Sequence, residues 1–159
     1  MDSDKQELRQ RYKDTRLSLS MPSVDAKSLE ICRKVFREVN WAKIGSMCSY
    51  TPIEQLREVN VKPLHDTLMY KFPKIKIKIL ESDKHQVPPK AKFDLIIVPL
   101  LAFDKENYRL GWGGGFYDRF LARQPQALKI GLAYWNGFAS EGLPHEPHDI
   151  PLDMIITER

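Results

Sequence analysis

The chain has 159 residues, 42% hydrophobic and 29% charged, with a formal net charge of +4. That is enough for one complete core and too little to expect two, so residues 1–159 read as a single domain. No stretch approaches the roughly 20 apolar residues that cross a bilayer, and the N-terminus is charged where a signal peptide would be apolar, so no membrane partner and a cytoplasmic location are expected.

Taken in order, residues 4–19 read as a polar helix. Ser23 is a suitable cap for a second helix carrying Leu29, Cys32, Phe36 and Val39 at three- and four-residue spacings. Residues 44–50 look like a strand, 61–72 a helix with Leu64, Leu68 and Phe72 on one face, and 75–80 an alternating strand. The segment 82–92, with Pro88-Pro89 and several lysines, reads as an exposed linker or flap. Residues 95–98 are a continuous apolar run suited to a central parallel strand. A helix over 115–123 and strands over 130–133 and 154–157 complete the alternation. The order predicts an α/β fold, a single-domain three-layer arrangement with a mostly parallel sheet and helices on both faces. Cys32 and Cys48 lie in apolar segments and read as buried thiols rather than a bridge.

Four of the eight glycines fall within residues 111–115, between the strand-like and helix-like segments. Glycine permits left-handed backbone and lets N–H groups approach an anion with no Cβ in the way. A following helix adds unpaired amides and the positive end of its dipole. Arg109 and Arg119 bracket the loop with fixed charge. Asp118 would repel a phosphate unless a divalent cation lay between them, which makes it a candidate Mg²⁺ ligand. No Lys-Ser or Lys-Thr pair follows Gly115, which excludes a P-loop. The dinucleotide fingerprint fails in both registers, meeting Phe116 or Asp118 where glycine is required. The plainer alternative is a glycine-rich surface turn with no ligand. Lys5 and Arg9 are four apart on the first helix and share a face, with Arg16 extending the stripe as a possible phosphate clamp or a solvated edge. His145 and His148 lack the further ligands a zinc site needs. The basic excess suits an anionic ligand and would also suit nucleic acid. The lysine runs over 71–78 and 84–92 hold no arginine, which makes an RNA-associated module the weaker reading.

The segment running from Asp94-Leu95-Ile96-Ile97-Val98-Pro99 through Ala102-Phe103-Asp104 to Tyr117-Asp118-Arg119 resembles the signature of the 5-formyltetrahydrofolate cyclo-ligase family. Lys5-Gln6-Glu7-Leu8-Arg9, Glu58-Val59-Asn60, Pro144-His145-Glu146-Pro147-His148-Asp149 and Leu152-Asp153 agree with it in order. The stretch from about 65 to 93 matches least and is shorter than usual for the family. The resemblance implies ATP-dependent cyclisation of 5-formyltetrahydrofolate to 5,10-methenyltetrahydrofolate with release of ADP and phosphate, with Mg²⁺ and a reduced folate as ligands and a monomeric enzyme with no nucleic-acid partner. It implies that Lys5, Arg9 and the run Arg109, Leu110, Gly111, Trp112, Gly113, Gly114, Gly115, Phe116 and Tyr117 hold ATP. It places Ile53 and Glu58 on the folate, with Glu54 a rival for Glu58 because the loop is about two residues longer than the pattern. Trp112, Gly113, Gly114, Gly115 and Phe116 border the substrate, Trp112 and Phe116 as possible stacking surfaces. Asp149 partners Asp118 at the metal, and Arg109, Tyr117 and Arg119 are the candidate catalytic groups. Gly137 stands where members usually carry Gln. A relative that binds nucleotide or folate without this turnover is the nearest alternative.

Overall fold

The computed structural model describes residues 2–81 and 87–159. The expected flap at 82–92 therefore lies partly outside the described residues, and from Val87 it continues without regular structure.

Helix α1, Asp2–Leu17, is almost wholly polar, and among its described side chains only Tyr12 and Arg16 are buried. It therefore does not dock on the central sheet. Tyr12 packs instead with Leu101, Ala102, Leu110, Ala139 and Leu143, a small separate cluster. Helix α2 runs Met21–Glu38, and its cap is Ser20 rather than Ser23, since the Ser20 side chain accepts the Ser23 amide and Pro22 occupies the first turn. A proline needs no amide partner there, which moves the helix start upstream of the expected serine. Its inner face is Val24, Ser28, Ile31, Cys32 and Val35, while Leu29 is 39% exposed. Of the expected stripe, Cys32 and Val39 are buried and Phe36 packs against the same core, while Leu29 has the right spacing and the wrong side.

Strand β1 is Ser46–Tyr50, followed by α3, Lys62–Lys71, and β2, Lys76–Leu80. Strand β3 is Leu95–Pro99, and then come two short strands that the sequence did not signal, β4, Ala102–Phe103, and β5, Arg109–Leu110. Helix α4, Phe116–Ala122, strand β6, Leu128–Leu132, and strand β7, Met154–Ile156, complete the chain. The main sheet has the order β2-β1-β3-β6-β7 with every pair parallel, while β4 and β5 form an antiparallel hairpin apart from it. Leu95 and Ile97 of β3 enter the core under α2 and α3, and Ile96 and Val98 enter the one that holds Phe120 and Leu121 of α4. The three-layer expectation is thus met. Among the described residues no helix is long and apolar enough to cross a membrane.

Two features of the sheet position the site. The strand order reverses between β1 and β3, and a crevice outside the carboxyl ends of the strands at such a reversal is where open parallel sheets bind ligands. In addition, a Cβ on Gly131 of β6 would lie 2.5 Å from both Leu100 Cδ2 and Leu152 Cδ1, so this glycine makes room for the residue that leads β3 into the hairpin. Gly131→Val is expected to lower folding stability by about 1–3 kcal/mol through overpacking, read as a shift in the urea midpoint. An unchanged midpoint would show that the two leucines simply swing aside.

Candidate active site

The glycine loop, residues 111–115, joins β5 to α4 and is mostly exposed. Gly113 has φ +102° and Gly115 φ +67°, whereas Gly111 and Gly114 have neither positive φ nor a neighbour that a Cβ would strike. Two of its carbonyls are taken: Arg9 Nε donates to Gly111 O at 2.9 Å and Arg119 Nη1 to Gly114 O at 2.9 Å. The amides of Gly113, Gly114 and Gly115 donate to no protein acceptor among the described residues. With arginines on its carbonyls and its amides free, the loop has the polarity of an anion cradle. Helix α4 is only seven residues long, with Gly115 as N-cap and no side-chain cap. Its dipole is correspondingly short, and the loop amides carry more of the design than the helix does.

Behind the loop lie two ion pairs. Arg109, its side chain 7% exposed, donates from Nη2 to Asp118 Oδ1 at 2.9 Å and from Nη1 to Ile150 O at 2.7 Å, and the Ile150 amide donates to the same Asp118 oxygen at 3.2 Å. Asp149 Oδ2 accepts from Lys5 Nζ at 3.2 Å and from the Glu146 amide at 2.8 Å. Burial works to raise the Asp149 carboxyl, but the Glu146 amide and Lys5 more than offset it and hold it below the usual carboxylate value. Asp118 is thus bonded to the residue next to Asp149, and the two carboxylates named for the metal share one corner. No group of three or more His, Cys, Asp or Glu among the described residues could hold a metal alone. Mg²⁺ commonly takes one or two carboxylates and fills the rest of its shell with phosphate and water oxygens. Asp118 keeps a second oxygen outside its ion pair, and the second oxygen of Asp149 lies 3.5 Å from the exposed His148 Nε2, so the donor set fits that ion.

The third part of the site lies under Trp112. Glu58 is 5% exposed and its Oε1 accepts the Ile53 amide at 2.7 Å, while Glu54 stands in solvent on a 3₁₀ turn. Of the two rival glutamates, Glu58 is the one that faces inward. What turns it is Arg57 at φ 52°, held by its own Nε on Leu19 O at 2.6 Å and by the Tyr134 hydroxyl, which donates to Arg57 O at 2.8 Å. Burial raises the Glu58 carboxyl, opposed by the Ile53 amide, the Arg16 charge and the Trp112 indole. Burial likewise lifts the Tyr117 phenol well above the ordinary tyrosine value, with Cys48 and Glu58 adding to it and Arg109 opposing.

Other named residues take supporting places. Leu110 is buried and accepts the Leu101 amide, closing the hairpin. Phe116 packs against Tyr117 and Phe120. Ile53 meets Glu58 through its backbone. A Cβ at Gly137 would stand 2.8 Å from Leu101 O, so a glutamine at this position would require the main chain to move. Sequence reasoning underrated Arg16, which is 4% exposed and turned inward; its place four residues after Tyr12, on the same face of α1, was the available signal.

The model of the 5-formyltetrahydrofolate cyclo-ligase family matches residues 64–158. The chain belongs to this family. It is 29% identical over 156 residues to the 5-formyltetrahydrofolate cyclo-ligase of Mycoplasma pneumoniae, covering 98% of this chain and 87% of that protein. To the Escherichia coli enzyme of the same name it is 37% identical over 101 residues, covering 62% of this chain and 53% of that one. Its fold matches the structure of a 5,10-methenyltetrahydrofolate synthetase from Mycoplasma pneumoniae with a TM-score of 0.79 at 27% identity, covering 98% of this chain and 99% of that one. The Aquifex aeolicus 5,10-methenyltetrahydrofolate synthetase gives 0.78 at 27% identity, covering 98% and 90%. This cyclo-ligase family member is accordingly an enzyme of the ligase class. The family match contains the glycine loop, Asp118 and Asp149, and runs through the 65–93 stretch. Lys5, Arg9 and Glu58 lie before it, within the span shared with the Mycoplasma pneumoniae protein.

Proposed function

We propose that this chain is a cytoplasmic, monomeric enzyme that cyclises 5-formyltetrahydrofolate to 5,10-methenyltetrahydrofolate with MgATP, releasing ADP and phosphate. The observation that carries the reading is the glycine loop with its amides free, set at the strand-order reversal between two bound carboxylates and a buried glutamate. All of these groups come from one chain, so the site needs no second subunit.

A formamide oxygen is a poor leaving group. In the proposed course it attacks the γ-phosphorus of ATP, the β,γ-bridging bond breaks and ADP leaves. N10 then attacks the activated carbon and loses its proton, and the C–O bond breaks to release phosphate. No protein nucleophile is needed, so the chain must align the reactants and neutralise charge. The loop amides and Lys5 face the phosphates, and Arg9 and Arg119 hold the loop in shape through its carbonyls. Arg109 acts from behind, fixing Asp118 through a short bond in a nearly closed setting. A Mg²⁺ ion held by Asp118 and Asp149 would offset the charge gathering on the transferred phosphoryl group. Tyr117 stays protonated and forms the floor between phosphate and folate sides. Glu58 accepts from the donor-rich edge of the pterin.

The test is to mix protein, MgATP and 5-formyltetrahydrofolate and follow the absorbance of methenyltetrahydrofolate. An increase that depends on both substrates is expected. Saturable binding of ATP and folate with no increase would reduce the chain to a binding relative. Within this reading, Lys5→Ala and Arg9→Ala should each weaken ATP by about 1–3 kcal/mol, roughly 5- to 150-fold, and leave folate affinity alone. Calorimetric titration of each ligand decides it. Unchanged ATP affinity in both variants would make α1 a purely structural helix.

A further inference from the structure

Arg16 has a role that the phosphate side of the site does not explain. Its Nη1 donates to Leu100 O at 3.1 Å, and its Nε and Nη2 are buried without a hydrogen-bond partner among the described residues. Those two nitrogens carry parallel N–H groups along one edge of the guanidinium, a fork suited to acceptor oxygens. A buried charge left unpaired is costly, so a fork held in this way is expected to meet something. Glu58 is the nearest candidate by charge, yet no ion pair joins them. Each is tethered away from the other by a backbone bond, Arg16 to the Leu100 carbonyl and Glu58 to the Ile53 amide. The Arg16 guanidinium carbon lies 5.4 Å from the centre of the Trp112 ring, and Trp112 also meets the Glu58 carboxylate. One aromatic ring therefore adjoins both ends, the donors of Arg16 and the acceptor of Glu58, and a shift of the exposed Trp112 would open a slot between them.

A phosphate fits this slot badly, because the Glu58 carboxylate would repel it. A neutral planar ring that presents a carbonyl oxygen beside N–H and amino groups fits both ends. We propose that Arg16 is a substrate-positioning residue, donating through its Nε–Nη2 edge to the ring carbonyl of the pterin while Glu58 accepts from the neighbouring donors. The assignment rests on the folate reading above and deepens it. It also removes Arg16 from the stripe of phosphate cations formed by Lys5 and Arg9.

The test compares two ligands, 5-formyltetrahydrofolate and its counterpart with the 4-oxo group replaced by 4-amino, which turns the acceptor facing Arg16 into a donor and also removes the proton of the adjacent ring nitrogen that faces Glu58. Wild type is expected to prefer the oxo compound by at least about 10-fold. In Arg16→Met, oxo affinity should fall roughly 10- to 100-fold with little change for the amino compound, so that the preference collapses to the part that Glu58 sets, and ATP affinity should stay within about twofold. Arg16→Lys keeps the charge but loses the parallel fork and should show the same collapse. It replaces the methionine variant if that one does not fold. Weakened ATP with an intact preference in either folded variant would overturn the assignment, as would a wild type with no preference. The outcome is separable from that of the cyclo-ligase reading. A wild type that discriminates between the two ligands, with the preference lowered in the variants, but gives no methenyl product removes the reaction and leaves Arg16 in place. A wild type that turns over, with an unchanged preference in the variants, does the reverse.

Discussion

Asp118→Asn is expected to lower kcat by at least about 100-fold, the scale on which removing one preorganised charge-stabilising group acts at a reacting centre. The substitution keeps the shape of the side chain and an oxygen able to accept from Arg109 and the Ile150 amide, so the corner with residues 146–150 should persist. It removes the negative charge, and with it the attraction for a divalent cation between the carboxylate and the phosphates. Some stability goes as well, since the Arg109 side chain is 7% exposed and its ion-pair partner becomes neutral. A loss of about 1–3 kcal/mol is expected, less than for removing the oxygen altogether. Three measurements separate these effects: kcat below the melting transition, the melting temperature, and the Mg²⁺ dependence of ATP binding by calorimetry. A metal role predicts that the Mg²⁺ dependence flattens in the variant. Wild-type kcat with an unaltered Mg²⁺ dependence would show that Asp118 serves only to anchor Arg109.

The main sheet was legible because each of its strands is a short apolar or alternating run bounded by polar or turn-forming residues, and because strands and helices alternate. The hairpin was not. Strands β4 and β5 are two residues each, too short for any alternation to register. They nevertheless carry the glycine loop away from β3 and help to give α1 an apolar seat. One position of α2 was misjudged for a related reason: Leu29 and Ile31 are both apolar, and the position of the sheet decides which of them is covered.

The site was legible where composition carries it. Clustered glycines beside arginine and aspartate mark the loop without any knowledge of the fold. The choice between Glu54 and Glu58 was not legible, because it depends on Arg57 adopting positive φ, a conformation in which a non-glycine residue is uncommon and which the Leu19 carbonyl and the Tyr134 hydroxyl hold from distant parts of the chain. Nor could the sequence show that Arg109 would be bound behind the loop by Asp118 and Ile150. Charges beside a glycine loop all look directed at the ligand until their partners are known. Here the structure divides them into those that hold the loop, those that hold the carboxylates, and Arg16, which belongs to neither group.

Gly113→Ala should be the most damaging change within the glycine loop. At φ +102° Gly113 lies beyond the left-handed helical well that other residues can enter at moderate strain, so alanine would cost on the order of 1–3 kcal/mol from backbone conformation alone. Its Cβ would also stand 3.1 Å from the guanidinium carbon of Arg9, the group that braces Gly111 O. The loop must flatten or Arg9 must retreat, and both spoil the cradle. ATP affinity is expected to fall at least about 30-fold, near 2 kcal/mol. Gly115 is a gentler case in backbone terms, since φ +67° is within reach of other residues, although the Arg119 Nη1 that its Cβ would meet at 2.9 Å must loosen its hold on Gly114 O. Gly115→Ala should therefore reduce ATP affinity less, and Gly111→Ala, with open space and ordinary φ, should serve as a nearly neutral control. A mere surface turn would give another pattern, in which melting temperature falls at the two positive-φ positions while folded protein binds ATP normally. Measuring affinity and melting temperature together on the three variants distinguishes the two. Normal ATP affinity in folded Gly113→Ala and Gly115→Ala would remove the phosphate cradle and the ATP-dependent mechanism built on it.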